Sequence, residues 1–173
     1  MAIRITGGSL RGRKVASPAG SGTRPTGSMA REALFNILSD VSGFEVLDLF
    51  AGSGIIGIEA LSRGAKAVTA VEQNKAQASK IREAYQALGL AEKLTLLEKD
   101  ALTLQEILKK GSFDLIYADP PFTREYPDLR IFLQFLAPGG VAVFECPSRK
   151  LPSWTAEGRV RRYGESSLAF FGG

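Results

Sequence analysis

From residue 44 onward, short apolar runs alternate with polar segments of helical rhythm. The runs at 44–49, 67–72, 94–98, 114–118 and 141–145 have strand length and are rich in Val, Leu, Ile and Phe. Such alternation predicts an α/β fold, a doubly wound, mostly parallel sheet with helices on both faces. The clearest helix covers 74–88. Asn74 and Gln77 have capping-box spacing, Ile81, Ala84, Tyr85 and Leu88 share one face, and Gly89 ends it. A further helix is expected over 101–109. Upstream, Ala30, Ala33, Leu34, Ile37 and Leu38 form an apolar stripe behind Ser28 as N-cap, predicting a helix docked on the core. Past residue 145 the pattern changes: short runs at 160–162 and 168–171 flank Gly164 with no crossover helix between them, as in a terminal antiparallel hairpin. Residues 1–30 are glycine-rich and lack helical period. They read as a hairpin of 3–6 with 13–16 and an extended loop, an appended arm before one domain over 31–173.

Composition narrows the chemistry. A hydrophobic share of 45% against 23% charged residues argues for a packed core and against disorder. No apolar run reaches the roughly 18 residues of a membrane span, so a cytoplasmic protein is expected. The chain has no histidine and a single cysteine, Cys146. The commonest metal ligands and proton shuttles are therefore missing; no metal site is expected, and catalysis falls to carboxylates, backbone or a cofactor. The net charge of +4 is unevenly placed. Arg4, Arg11, Arg13, Lys14, Arg24 and Arg31 all precede the first acid, Glu32, while Arg149, Lys150, Arg159, Arg161 and Arg162 cluster near the other end. Both ends read as phosphate-facing surface, Arg11, Arg13, Arg24 and Arg31 being the RNA-binding candidates; a solvated arm without partner is the alternative.

The first strand ends in Asp48-Leu49-Phe50-Ala51-Gly52-Ser53-Gly54, and Gly57 follows. A glycine-rich turn from a buried strand into a helix N-terminus lets backbone approach a ligand closely, as nucleotide cofactors require. The glycine spacing also satisfies the dinucleotide pattern, a weak match by itself. Asp48, four residues before the first glycine, suits the ammonium of a methionine moiety and would repel a pyrophosphate, which favours S-adenosylmethionine. Glu72, followed by Gln73 at the end of the second strand, is placed to accept from both ribose hydroxyls. Asp100-Ala101 after the third strand either binds the adenine amino group or caps the following helix, and both can hold. The cofactor-binding candidates are thus Asp48, Phe50, Gly52, Ser53, Gly54, Glu72, Gln73, Asp100 and Ala101.

Asp119-Pro120-Pro121-Phe122 follows the strand at 114–118. Consecutive prolines force a rigid extended turn. An exocyclic amine conjugated to a ring is a poor nucleophile until acceptors hold its hydrogens, which Asp119 and the Pro120 carbonyl would do. Phe122 would stack on the base and fix its plane, the base being flipped out where the substrate is paired. Asp119, Pro120, Pro121 and Phe122 are the catalytic candidates. Proton loss could pass to Asp119 or to water.

Segment 48–54 together with 119–122 resembles the amino-methyltransferases whose second motif is Asp/Asn/Ser-Pro-Pro-aromatic. Gly7-Gly8, Arg11-Gly12-Arg13, Arg24-Pro25-Thr26 and Arg31-Glu32-Ala33-Leu34-Phe35-Asn36 resemble the arm of the RsmD-like bacterial enzymes that methylate guanine N2 in small-subunit (16S) ribosomal RNA. The resemblance implies a Rossmann-like class I methyltransferase fold with a seven-stranded sheet whose last strand is antiparallel. It also implies S-adenosylmethionine held by Asp48, Gly52, Gly54, Glu72 and Asp100, and a guanine at 119–122. Ribosomal RNA, the small subunit or an assembly intermediate would be the partner of a monomeric enzyme. Ser28 and Met29 depart from the acidic and basic residues usual there in that family. An N6-adenine methyltransferase on DNA or RNA, a protein glutamine methyltransferase and an inert RNA-binding assembly factor are the competing readings.

Overall fold

The computed structural model describes residues 2–16, 27–121 and 125–173. A hairpin of β1 (Ala2–Arg4) and β2 (Lys14–Ala16) precedes α1 (Ser28–Leu38). The main sheet comprises β3 (Glu45–Leu49), β4 (Ala67–Val71), β5 (Leu94–Leu97), β6 (Phe113–Ala118), β7 (Leu136–Pro147), β8 (Arg159–Tyr163) and β9 (Ser166–Gly172). Helix α2 (Ile55–Ser62) follows β3, and α3 (Lys75–Ala87) follows β4. The seven strands lie in the order β5-β4-β3-β6-β7-β9-β8, parallel as far as β7, with the last strand β9 antiparallel to both its neighbours. Strand order reverses between β3 and β6, and doubly wound sheets bind ligands in the crevice at such a switch point.

Central strands covered on both faces read as continuous apolar runs. In β3 and β6, Val46, Leu115 and Tyr117 face one layer, and Leu47, Leu49 and Ile116 the other. The first layer holds α1, α2 and α3, with Leu34, Ile58, Ile81 and Tyr85 buried, and Ile3, Ile5 and Val15 of the hairpin join it. Asn74 Oδ1 accepts the Gln77 N–H at 3.0 Å to cap α3, and Gly89 at φ 72° follows its end, as the spacing predicts.

The second layer differs from expectation. No α-helix covers it among the described residues; 3₁₀ helices do, at Ala101–Thr103, Leu129–Phe135 and Ser153–Glu157. Bulky rings fill the space a helix would occupy: Trp154 packs edge-on against Phe144 at 5.8 Å and against Phe171 at 6.1 Å between centroids. The helix expected over 101–109 shrinks to one 3₁₀ turn and a loop. There Asp100 Oδ1 accepts from Leu102 N as the expected cap, and the Thr103 hydroxyl donates back to the Asp100 carbonyl.

Two details of α1 also need correction. Its N-cap is Gly27, not Ser28, with no side-chain cap. The buried stripe runs through Ala30, Arg31, Leu34 and Phe35, whereas Ile37 is 39% exposed. Strand β7 is much longer than the predicted 141–145, because it continues past a register shift beside Phe113 and Leu115. No helix among the described residues is long and apolar enough to cross a membrane.

Candidate active site

The site begins where β3 ends. Asp48 is buried, and its Oδ2 accepts the Gly57 N–H at 3.3 Å, giving a partner to the otherwise side-chain-uncapped start of α2. Burial pushes the Asp48 carboxyl up to about 8, the Gly57 bond opposing and the Glu72 charge adding. The turn that follows is held by Ala51 N on Val71 O at 2.8 Å and Gly54 N on Ala51 O at 2.7 Å. Gly52 and Gly54 take φ of 57° and 75°, and Phe50 takes φ 57°, a conformation that costs a bulky L-residue about 1–3 kcal/mol. Strain of this kind collects at ligand sites, and the Phe50 side chain lines the cavity described next.

That cavity opens at the switch point and is lined by Phe50, Gly52, Val71, Glu72, Gln73, Asn74, Gln77, Lys99, Ala101, Asp119 and Pro121. Residues from four separate sequence motifs therefore meet in one place. Glu72 stands at its centre of polarity: Oε2 accepts from Gly52 N at 2.9 Å and Oε1 from Asn74 N at 2.8 Å. Each oxygen keeps a free lone pair, so the fixed carboxylate can accept from two vicinal hydroxyls. Phe50, Val71 and Ala101 provide apolar wall for a purine. Ribose and adenine thus fit the donor set present.

Other predicted residues lie close by but off the wall. Asp48 sits beneath the loop, Ser53 and Gly54 form its turn, Pro120 is buried behind Pro121, and Asp100 is exposed as the cap of the 3₁₀ turn. Phe122 and Arg24 lie outside the described residues. Asp119 is half-buried, and burial, then the neighbouring charges of Glu145 and Asp48, holds its carboxyl well above the ordinary range.

The family described as conserved hypothetical protein 95 matches residues 3–172. The chain belongs to this family. It is 39% identical over 123 residues to ribosomal RNA small subunit methyltransferase D of Haemophilus influenzae, the match covering 69% of this chain and 64% of that one. To the protein of the same name from Escherichia coli strain K12 it is 39% identical over 124 residues, covering 70% and 61%. The match thus spans less than two thirds of those two relatives. The structure of Escherichia coli yhhF, a methyltransferase candidate, superposes with a TM-score of 0.83 at 29% identity, covering 99% of this chain and 98% of that one.

In this family member the basic arm divides in two. Arg11 and Arg13 are exposed, the Arg13 guanidinium also donating to the Ala87 carbonyl at 3.3 Å. Arg31, expected on the RNA-facing surface, is instead 1% exposed: Nε donates to Glu59 Oε1 at 3.1 Å and Nη2 to the Arg4 carbonyl at 2.9 Å. A guanidinium so enclosed holds the fold together and cannot meet a phosphate. Ser28 and Met29 are exposed on the first turn of α1. Sequence reasoning also missed Asn74, Gln77 and Lys99 on the cavity wall and Glu145 behind Asp119. Asn74 and Gln77 follow directly from Glu72 and were legible as the α3 start; nothing in the local sequence marks Glu145.

Proposed function

We propose that this chain transfers a methyl group from S-adenosylmethionine to the exocyclic N2 amine of a guanine in small-subunit ribosomal RNA, acting in the cytoplasm on the RNA or a subunit intermediate. The observation that carries the reading is the single cavity shared by the glycine loop, Glu72, Ala101 and the Asp119-Pro120-Pro121 turn. Kinship with the small-subunit methyltransferases of Haemophilus influenzae and Escherichia coli supports the RNA substrate.

When bound, the cofactor supplies an electrophilic methyl group on a positively charged sulfur. The chain does the rest. Glu72 accepts from the ribose hydroxyls, while Phe50, Val71 and Ala101 enclose the adenine and Asp100 takes its amino group. The ammonium end, when bound, would favour the ionised form of Asp48 beneath the loop and be attracted by it, and Gly52, Ser53 and Gly54 let backbone approach the ligand. Asp119 and the Pro120 carbonyl accept from the target amine and localise its lone pair. The rigid Pro120-Pro121 turn fixes those acceptors, and Phe122 stacks on the base by its place in the motif. Residues 1–30 serve as an RNA-facing arm through Arg11, Arg13 and Arg24, and residues 31–173 carry the chemistry.

The test is incubation of the protein with methyl-labelled S-adenosylmethionine and small ribosomal subunits from cells lacking the gene, followed by nucleoside mass spectrometry. N2-methylguanosine at one site is expected. N6-methyladenosine would overturn the base assignment, and no label despite measured cofactor binding would overturn the RNA substrate.

A further inference from the structure

Resting on the reading above, we propose that Glu145 is a positioning residue that makes Asp119 the acceptor of the proton released when the target amine is methylated. The sheet sets the pair. Ala118 of β6 is registered with Phe144 of β7 in a parallel ladder, so the next residues lie abreast, Asp119 just past the end of β6 and Glu145 in the last stretch of ladder before β7 ends at Pro147. Glu145 is only 5% exposed. Its carboxylate accepts from the Tyr117 hydroxyl and its backbone carbonyl from the Tyr126 hydroxyl, so both ends of the residue are tied down. Burial, and then the charge of Glu145 beside it, raises the hold of the Asp119 carboxyl on a proton.

Asp48 on β3, where ionised, adds a second and smaller negative charge against Asp119. Burial pushes the Cys146 thiol of β7 up to about 12, and burial with Cys146 and Asp119 raises the Tyr126 phenol further, so both stay protonated near neutrality. Tyr117 is committed to Glu145 as a donor. Glu72 and Lys99 share the open cavity with Asp119, on its solvent side. Neither Cys146 nor Tyr126 is therefore a base for the released proton.

The step then balances. The amine lone pair forms the new C–N bond, and the C–S bond breaks with its electrons going to sulfur. An N–H bond breaks and its proton passes to the Asp119 carboxylate, leaving Asp119 a neutral acid. Asp119 must start ionised, so transfer gains rate as pH rises through its raised pKa, and the raised pKa lets the carboxyl hold the proton after transfer.

Two readouts on Glu145→Gln and Tyr117→Phe test this. One is a carboxyl ¹³C NMR titration of Asp119 in the protein without substrate, assigned with Asp119→Asn. The other is the pH–rate profile for methyl transfer to small subunits at saturating S-adenosylmethionine, with cofactor affinity measured alongside. In Glu145→Gln the Asp119 titration and the acid limb of the profile both move down by about one pH unit or more, with cofactor affinity held within about twofold. Tyr117→Phe moves both in the same direction by less. An unmoved titration overturns the pairing, and a titration that moves without the acid limb overturns Asp119 as acceptor. If the wild-type protein labels no guanine while the Asp119 titration still falls in Glu145→Gln, the failure lies with the substrate reading, and the proton role falls with it.

Discussion

Arg31 and Glu59 form a buried ion pair, Nε to Oε1 at 3.1 Å, with side chains 2% and 0% exposed. Glu59 also accepts from Thr6 N at 2.6 Å, Thr6 Oγ1 at 2.8 Å and Arg63 Nε at 3.3 Å. One carboxylate on α2 thus fastens the N-terminal arm, α1 and its own helix end. Removing one member of such a pair strands the other charge, at a cost of about 3–5 kcal/mol. Glu59→Ala should lower the urea midpoint accordingly, whereas Arg31→Met with Glu59→Leu should lose far less. Equal losses would show that the arm, rather than the stranded charge, sets the cost.

A β-carbon on Gly57 would lie 2.2 Å from the Tyr85 hydroxyl oxygen and 2.7 Å from Val68 Cγ1. The third glycine of the loop therefore exists for the close approach of α2 to α3 and β4. Gly57→Ala gains a little helix propensity, but overpacking should outweigh it and destabilise the fold by about 1–3 kcal/mol. Adding Tyr85→Phe removes the shorter contact and should recover part of the loss. A double-mutant cycle on urea unfolding checks the coupling; purely additive effects would sink the steric account.

The same loop shows what the sequence could and could not tell. Asp48, the glycines and Asn74 were legible because a strand end, a φ-positive turn and a helix cap are local decisions, written in adjacent residues. The mostly parallel sheet followed from strand–helix alternation, whereas its strand order came only with the structure. Arg31 was misread because a charge pattern carries no depth: its cationic neighbours Arg11 and Arg13 are exposed, and only the distant Glu59 explains its burial. The helix over 101–109 ends after one 3₁₀ turn although its Asp100 cap forms, so the cap was legible and the helix length was not. Glu145 sat inside a recognised strand, but its nearness to Asp119 comes from the β6–β7 register, which no motif records.

Arg11 and Arg13 remain on the surface and carry the prediction for RNA binding. Arg11→Gln with Arg13→Gln should reduce the slope of log affinity against log salt by roughly one per lost phosphate contact, about two in all. The melting temperature should hardly move, because neither side chain is buried. Filter binding to small-subunit RNA across a salt series is the measurement, and an unchanged slope would remove the arm from the interface.

Asp48 yields a prediction in pH. Its carboxyl is pushed up to about 8, first by burial and then by Glu72, against the Gly57 bond. In the unfolded chain it titrates near 3.9, as an ordinary aspartate does. The folded state therefore binds the proton more tightly than the unfolded state. The associated stability is fully present below about pH 4 and is lost progressively as pH rises toward 8, at up to about 1.4 kcal/mol per unit. Asp48→Asn keeps an oxygen able to accept from Gly57 N–H but cannot ionise, so it should be free of this loss. Urea midpoints of both proteins from pH 5 to 9 should diverge in favour of the variant up to about pH 8 and run parallel above it. A constant difference across that range would mean that the Asp48 carboxyl ionises in the ordinary range, its burial compensated by partners other than Gly57.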